Sequence, residues 1–158
     1  MDWYETIAFF THCLPKAVAR PLNALPDGSL REIRVRAGQS IRLSTRQGET
    51  ICPCEPTPQQ VAQMAEALCE HALYARAEEQ RSGFVTLRGG HRMGLCGRVI
   101  CQGQSIRALR DISSFCIRIA GQWRGAADGL IGQLTDENGF CRSTLIVGLP
   151  GMGKTTLL

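Results

Sequence analysis

Lysine is nearly absent from this sequence of 158 residues, and aromatic residues are scarce. Two lysines, Lys16 and Lys154, stand beside sixteen arginines, and the aromatic fraction is 6%. Arginine pairs well with phosphate and carboxylate groups, whereas binding of single-stranded nucleic acid usually depends on aromatic stacking. A biased genome composition can produce the same excess of arginine, and the net charge is only +4. Composition alone therefore does not select a function.

Long hydrophobic runs and paired metal-ligand motifs are also absent from the sequence. No run approaches the ~18 apolar residues of a membrane span, and the first five residues lack the basic start of a signal peptide. The eight cysteines contain no C-x-x-C motif and form no zinc-type arrangement with the three histidines. We therefore expect an intracellular protein whose cysteines are reduced and buried.

The most specific motif lies at the end of the sequence. Thr144–Val147 is typical of a short buried strand, and Gly148-x-x-x-x-Gly153-Lys154-Thr155 fits the phosphate-loop pattern G-x-x-x-x-G-K-[ST]. Glycines keep side chains away from backbone N–H groups that wrap a phosphate, and the following helix directs its positive dipole end to the same place. The predicted nucleotide-binding residues are Gly148, Leu149, Pro150, Gly151, Met152, Gly153, Lys154, Thr155 and Thr156.

This motif assigns distinct roles to its last residues. Lys154 would place its ammonium on the β and γ phosphates and is the predicted catalytic residue, and the Thr155 hydroxyl would be a Mg²⁺ ligand. ATP and Mg²⁺ are therefore the predicted cofactors. A phosphate-loop ATPase also needs an acidic residue on a later strand, and the sequence given ends three residues after Thr155. We expect this chain by itself not to hydrolyse ATP.

The first half of the sequence predicts two helices and a hairpin. Residues 2–25 are apolar-rich and helical in pattern, with a division at Pro15 because proline fits only the first turn of a helix. Leu30–Ala37 alternates strictly, and Ser40–Ser44 resumes the alternation after a turn at Gly38. The outer face of this hairpin carries three arginines, Arg34, Arg36 and Arg42, for which a solvated sheet face is the simpler interpretation.

One long helix and further strands follow the hairpin. Thr57, Pro58 and Gln60 form a helix start with a capping box, and apolar residues then recur at helical spacing for about twenty residues. Strands are predicted at residues 84–87, 92–100 and 112–119. Basic residues crowd around interior glycines in this region, a combination that suits an anion or an exposed sheet face. They are Arg88, His91, Arg92, Arg98, Arg107, Arg110 and Arg118.

These elements predict an α+β domain followed by the start of an α/β domain. Residues 1–120 would form a mixed or antiparallel sheet covered by the long helix. Residues 121–142 would be a linker with a short helix, followed by a loop at residues 136–139. Residues 143–158 would begin an incomplete phosphate-loop domain, whose lone strand lacks the neighbours that such a strand normally needs.

Several of these segments together resemble the stage III sporulation protein AA family of endospore-forming bacteria. They are Glu32–Ser40, Gly89–Arg98, Arg110–Ser114, Ile117–Ala120 and the phosphate loop, and they follow the family's order over about residues 14–158. The family is similar to the motor ATPases of type II and type IV secretion systems. The resemblance implies an N-terminal α+β domain and a RecA-like ATPase domain, of which this chain carries the first strand and the phosphate loop.

The same resemblance implies a function and a set of partners. The full-length protein would hydrolyse ATP as a hexameric ring in the cytoplasm, on the mother-cell side and at the inner face of the membrane. It would energise assembly of, or transport through, the channel between mother cell and forespore, with membrane-embedded channel proteins as partners. In the related secretion ATPases, arginines of the N-terminal domain reach nucleotide phosphates. Arg92 and Arg98 are by this resemblance candidates for contacts to phosphate or to a neighbouring subunit.

Two other functions remain open from the residues alone. An arginine-rich nucleic-acid-binding module is one alternative, although the few aromatic residues and the modest charge disfavour nucleic acid. The strands that would form it carry Arg34, Arg36, Arg88, Arg92 and Arg98. The arginines could instead pair with acidic groups of a neighbouring subunit during ring assembly. This second alternative is compatible with the ATPase interpretation.

Overall fold

Contacts within the chain divide it into two units, Met1–Ala120 and Gly121–Leu158. The computed structural model describes residues 1–73, 77–103, 105–121, 125–149 and 152–154. Among these residues, no helix combines the length and the apolar character that crossing a membrane requires. All eight cysteines are free thiols.

Two helices open the first unit. Helix α1 (Trp3–Cys13) begins at a capping box, in which Asp2 accepts from the Glu5 N–H at 2.8 Å and Glu5 accepts from the Asp2 N–H at 3.1 Å. Pro15 precedes helix α2 (Lys16–Asn23), so the predicted division at this proline is confirmed. The two helices bury Phe10, Val18 and Leu22 in the core.

The described residues of the first unit include six strands, which form one antiparallel sheet in the spatial order β3-β2-β1-β6-β5-β4. Three consecutive strands on one side are β1 (Leu30–Arg36), β2 (Ile41–Thr45) and β3 (Glu49–Cys52). Three on the other side are β4 (Phe84–Thr86), β5 (Arg92–Gln102) and β6 (Ser105–Arg118). Among the described strands, the pairing of β1 with β6 alone joins the two groups.

The α+β character and the β1–β2 hairpin agree with the sequence prediction, whereas β3 was not predicted. Its residues show no buried–exposed alternation, since Glu49, Thr50 and Ile51 are all exposed and only Cys52 is buried. Alternation is the signal by which a half-buried strand is recognised from sequence. The residues of this edge strand therefore have no alternating pattern from which the strand could be predicted.

The predicted single helix of about twenty residues is wrong. Helix α3 (Pro58–Leu68) begins at the predicted capping box of Thr57 and Gln60 but ends after 11 residues. The His71 N–H donates to the Glu66 carbonyl and the Glu70 N–H to the Ala67 carbonyl, with Glu70 at φ +53°. This pattern is a Schellman motif, which usually has glycine at the position of Glu70. Because glutamate stands there, the end of the helix was not recognisable from the residues.

Helix α4 (Ala77–Arg81) follows after residues 74–76, which lie outside the described part of the chain. The Glu79 carboxylate accepts from the backbone N–H of Thr86 at 2.7 Å. This contact ties α4 to β4. An edge strand otherwise leaves such N–H groups without a partner in the sheet, so the short helix protects part of this edge.

Among the described residues of the first unit, the helix α3 packs on one face of the sheet. Ile33 and Val35 of β1, Met93 of β5 and Ile117 of β6 are buried on the face where α3 packs. Alternate residues of the same strands point to the other face because successive side chains of a strand alternate. That other face, which we call the open face, carries Arg34, Arg36 and Arg42, which agrees with the prediction of a basic outer face.

A bulge bends the β5–β6 hairpin at Gly97. The register shifts between Cys96 and Arg98, and Asp111 opposite them has φ +47°. A Cβ atom built on Gly97 would lie 2.5 Å from the Arg110 carbonyl oxygen, a distance that real Cβ atoms do not adopt. Glycine is thus required here by the close approach of the neighbouring backbone.

His91 lies in the core and not on an anion-facing surface, which corrects its assignment to the basic cluster. Its side chain is buried, its ring lies 5.3 Å from that of Phe10, and its Nδ1 accepts from the Ala120 N–H at 3.0 Å. The Nε2 atom has no hydrogen-bond partner among the described residues. Burial, and secondarily the N-terminal charge, lowers the pKa of His91, so the imidazole is neutral at pH 7.

In the second unit, the predicted short helix and loop are confirmed, but the predicted strand is wrong for this chain. Helix α5 spans Asp128–Leu134, and Asp136 accepts from the N–H groups of Asn138 and Phe140 in the loop that follows. Residues 142–149 form no strand, and the Leu145 and Val147 side chains are 86% and 82% exposed. A strand needs neighbours for its backbone groups, and the described residues of this unit supply none.

We expect Gly97→Ala to destabilise the first unit by about 2–3 kcal/mol, because the added methyl group overlaps a backbone carbonyl that cannot move without breaking the hairpin. Gly94 offers a matched control on the same strand, since a Cβ there would lie no closer than 3.8 Å to another atom. Gly94→Ala should change stability by no more than ~1 kcal/mol. Urea denaturation of both variants measures the difference, and equal midpoints would contradict the assigned role of Gly97.

We expect the stability of the protein to fall as the pH drops from 7 to 5. The pKa of His91 is lower in the folded state than in the unfolded state, so the unfolded state binds more protons below about pH 6.5. The free energy of unfolding therefore decreases by up to ~1.36 kcal/mol for each pH unit below this value. His91→Asn should flatten the pH dependence of the urea midpoint, whereas His12→Asn, at an exposed position, should leave it unchanged. An undiminished slope in His91→Asn would show that another group is responsible.

Candidate functional site

The structure describes part of the predicted phosphate loop. Gly148, Leu149, Met152, Gly153 and Lys154 are described, whereas Pro150, Gly151, Thr155 and Thr156 lie outside the described residues. The Met152 N–H donates to the Leu149 carbonyl at 3.3 Å. Gly153 has φ +81°, a left-handed conformation that favours glycine. The residue directly before the lysine therefore has a backbone conformation that other residues rarely adopt.

Lys154 is folded against the backbone of its own loop. Its Nζ atom donates to the carbonyl oxygens of Gly148 and Leu149, both at 2.8 Å. A lysine ammonium carries three N–H donors, so these two contacts leave one donor for a further acceptor. The positive charge is thereby held beside the loop backbone and does not extend freely into solvent.

The position of the Lys154 ammonium suits the binding of an anion. An ammonium fixed by two carbonyls is already positioned, so a phosphate oxygen that accepts from its third N–H needs little reordering of the side chain. A Cβ atom on Gly148 would make only ordinary contacts of 3.7 Å with Lys154. The carbonyls of Gly148 and Leu149 therefore account for the position of the lysine charge. Contacts among the described residues do not require glycine at position 148.

Arg92 and Arg98 lie on the same strand but in different surroundings. The Arg92 guanidinium lies 5.3 Å from the centre of the Phe84 ring, and Arg92 is the register partner of Arg118. The Arg98 Nε lies 2.8 Å from an Asp111 carboxylate oxygen in an exposed ion pair beyond the bulge. Six residues along a strand span roughly 20 Å, so the structure does not bring these two arginines to one phosphate group.

The structure reveals a basic cavity that the sequence did not define. It has a volume of about 520 Å³ and lies on the open face of the first unit. We call it the arginine cavity. Its lining includes Arg34, Arg36 and Arg42 from β1 and β2, together with Gly94, Cys96, Ser114 and Cys116 from β5 and β6.

Two of the three arginines of this cavity have carboxylate partners. Arg42 pairs with Glu49 at 2.7 Å, and Arg34 pairs with Glu32 and, at 3.8 Å, with Glu49. No ion pair joins Arg36 to another described residue. Sequence alternation placed these arginines on one face, but it could not show that β1 pairs with β6 and brings Ser114 beside Arg36.

The thiol of Cys116 is not suited to nucleophilic chemistry. Burial raises its pKa to about 11, and a hydrogen bond to the Glu32 carboxylate acts in the same direction. The thiol therefore stays protonated at neutral pH, and the thiolate is the reactive form. Among the described residues, no three histidine, cysteine or acidic side chains cluster closely enough to hold a metal ion.

The chain thus consists of an antiparallel α+β unit followed by a glycine-rich loop that carries a lysine. The family model described as Sporulation stage III, protein AA matches residues 14–158. The chain therefore belongs to the sporulation stage III protein AA family. It is 36% identical over 148 residues to the Stage III sporulation protein AA of Bacillus subtilis (strain 168).

The match to this relative covers 92% of the chain but only 48% of the relative, so the chain spans about half the length of the curated protein it matches. A solved structure of the VirB11 ATPase from the Brucella suis type IV secretion system, in complex with sulphate, is a distant structural neighbour. It is 14% identical, and the alignment covers 80% of this chain and 34% of that one with a TM-score of 0.43.

Proposed function

We propose that this chain is the N-terminal domain and phosphate loop of an ATP-binding protein of endospore formation. Membership of the sporulation stage III protein AA family supports the link to sporulation. The observation that carries nucleotide binding is the position of Lys154, whose ammonium is fixed by two loop carbonyls within a G-x-x-x-x-G-K-T sequence. Both the sequence pattern and the position of the charge suit a polyphosphate.

In this proposal the loop residues 148–156 bind the phosphates of ATP. Lys154 contributes its remaining N–H donor and its charge to the β and γ phosphates, and Thr155 supplies a hydroxyl ligand to the Mg²⁺ that ATP brings. Mg²⁺ bridges phosphate oxygens and neutralises the charge that develops during transfer. Residues beyond this chain would supply the remaining strands of a RecA-like domain, and they would give Thr144–Val147 the neighbours that a strand requires.

The proposed role of the whole protein is that of a motor resembling the type II and type IV secretion ATPases. It would act as a hexameric ring on the mother-cell side of the membrane, in the cytoplasm. It would energise assembly of, or transport through, the channel to the forespore together with membrane-embedded channel proteins. Arg92 and Arg98 would contact phosphate or a neighbouring subunit. Because they lie far apart on β5, each would serve a different contact.

A nucleic-acid-binding function finds less support from the open face. Base stacking needs exposed aromatic rings, and on this face the Phe84 ring already lies under the guanidinium of Arg92. Arg34 and Arg42 are paired with carboxylates of the same face, which reduces the charge available for phosphate backbones. The ATP-binding proposal is therefore the one retained.

We expect Lys154→Ala to lower ATP turnover by at least ~100-fold in the longer protein of which this chain would be the N-terminal half, because the phosphates lose their positioned charge. Phosphate release in the presence of Mg²⁺ measures this effect. Lys16→Ala removes the other lysine of the chain, at an exposed position on α2, and should leave turnover unchanged. Undiminished turnover in Lys154→Ala would refute the role given to this residue.

A further inference from the structure

The arginine cavity on the open face of the sheet carries a charge imbalance. Three arginines line it, and the described residues of its lining include no aspartate or glutamate. Glu32 and Glu49 stand in the neighbouring row of the sheet and engage Arg34 and Arg42 from the side. Arg36 is exposed and joined to no carboxylate in the described chain. The cavity therefore presents a guanidinium whose natural partner is an anion.

Two arginines of the same face already bind a carboxylate group, that of Glu49. The Glu49 carboxylate accepts from Arg42 at 2.7 Å and lies 3.8 Å from Arg34, so two guanidinium groups converge on one carboxylate. Guanidinium groups present donors in a planar fork that matches carboxylate geometry. Arg36 lies two residues further along β1, on the same face as Arg34, and Ser114 is its register partner on β6. A second carboxylate could be bound there in the same manner.

The floor of the cavity contains a glycine, Gly94, that the fold itself does not require. Gly94 has no positive φ, and a Cβ atom there would meet other atoms at no less than 3.8 Å. Glycine in a strand interior weakens the strand, and it often marks a place where a ligand or another backbone approaches closely. Gly97 is explained by the bulge, whereas Gly94 is not. With Cys96 and Ser114 beside it, Gly94 keeps space open for an approaching chain.

We propose that the arginine cavity is a docking site for an acidic peptide segment of a partner protein. The peptide would place a carboxylate on Arg36 and its backbone over the floor at Gly94. A cavity of about 520 Å³ holds several side chains of such a segment, whereas a single inorganic anion fills only a small part of it. The site lies wholly within Met1–Ala120, and the proposal does not depend on nucleotide binding at Lys154.

The test uses a fluorescein-labelled ten-residue peptide of alternating glutamate and glycine, titrated with the 158-residue protein at low salt. Fluorescence anisotropy should show saturable binding. Arg36→Glu should weaken it by at least about tenfold, because a favourable pair becomes a like-charge contact. Gly94→Leu should weaken it by a similar factor, since its side chain fills the floor. Arg36→Glu lies at an exposed position and keeps the test valid if Gly94→Leu folds poorly.

The matched control is Arg20→Glu, which makes the same charge change at an exposed position on α2. It should alter the affinity by less than about twofold, within what a distant exposed charge contributes. Equal weakening by Arg20→Glu and Arg36→Glu would show that the binding depends only on the net charge of the protein, and it would overturn the proposal. Displacement of the peptide by equimolar inorganic phosphate, or tighter Arg36-dependent binding of an oligodeoxythymidylate, would overturn it in favour of a small-anion or nucleic-acid site.

Discussion

The pairing of β1 with β6 is the constraint on which the first unit depends. Strands β1, β2 and β3 form one meander, and β4, β5 and β6 form another, each held by pairings that are local in sequence. Among the described strands, only the β1–β6 ladder, from Glu32 with Arg118 to Arg36 with Ser114, joins them. Because α3 packs on one face of the joined sheet, this ladder also decides which side chains enter the core and which remain on the open face.

That one-sided arrangement has functional consequences. A sheet covered on both faces would bury apolar residues on each, whereas the open face of this sheet, as far as the first unit is described, carries arginines, small residues and two carboxylates. The arginine cavity exists because Arg36 of β1 comes to lie beside Ser114 and, one strand further, Cys96. The lysine loop belongs to the other unit and is organised by its own backbone, since Lys154 contacts the carbonyls of residues 148 and 149. The two candidate sites are therefore built from independent sets of contacts.

Local signals in the sequence predicted local structure well, and long-range structure poorly. The capping box at Thr57 and the turn at Gly38 depend on residues within four positions of each other, and both predictions were confirmed. The end of α3 was not predicted because Glu70 adopts a left-handed conformation that is usually occupied by glycine, and glycine is the residue by which such a helix end is recognised. The strand predicted at Thr144–Val147 failed because a hydrophobic run becomes a strand only beside another strand. The arginine cavity was missed because its residues come from strands far apart in sequence, and the roles predicted for the loop residues, Arg92 and Arg98 remain predictions.

Native-state hydrogen exchange of individual backbone amides tests the central claim, that β6 is held by neighbours on both sides, most directly. The account predicts that the amides of residues 114–118, which lie between β1 and β5, exchange only through global unfolding. Amides of residues 106–110, which pair with β5 alone among the described strands, should exchange through smaller openings. Exchange of both groups at the same rate, or faster exchange at residues 114–118, would contradict the β1–β6 pairing and the sheet order built on it.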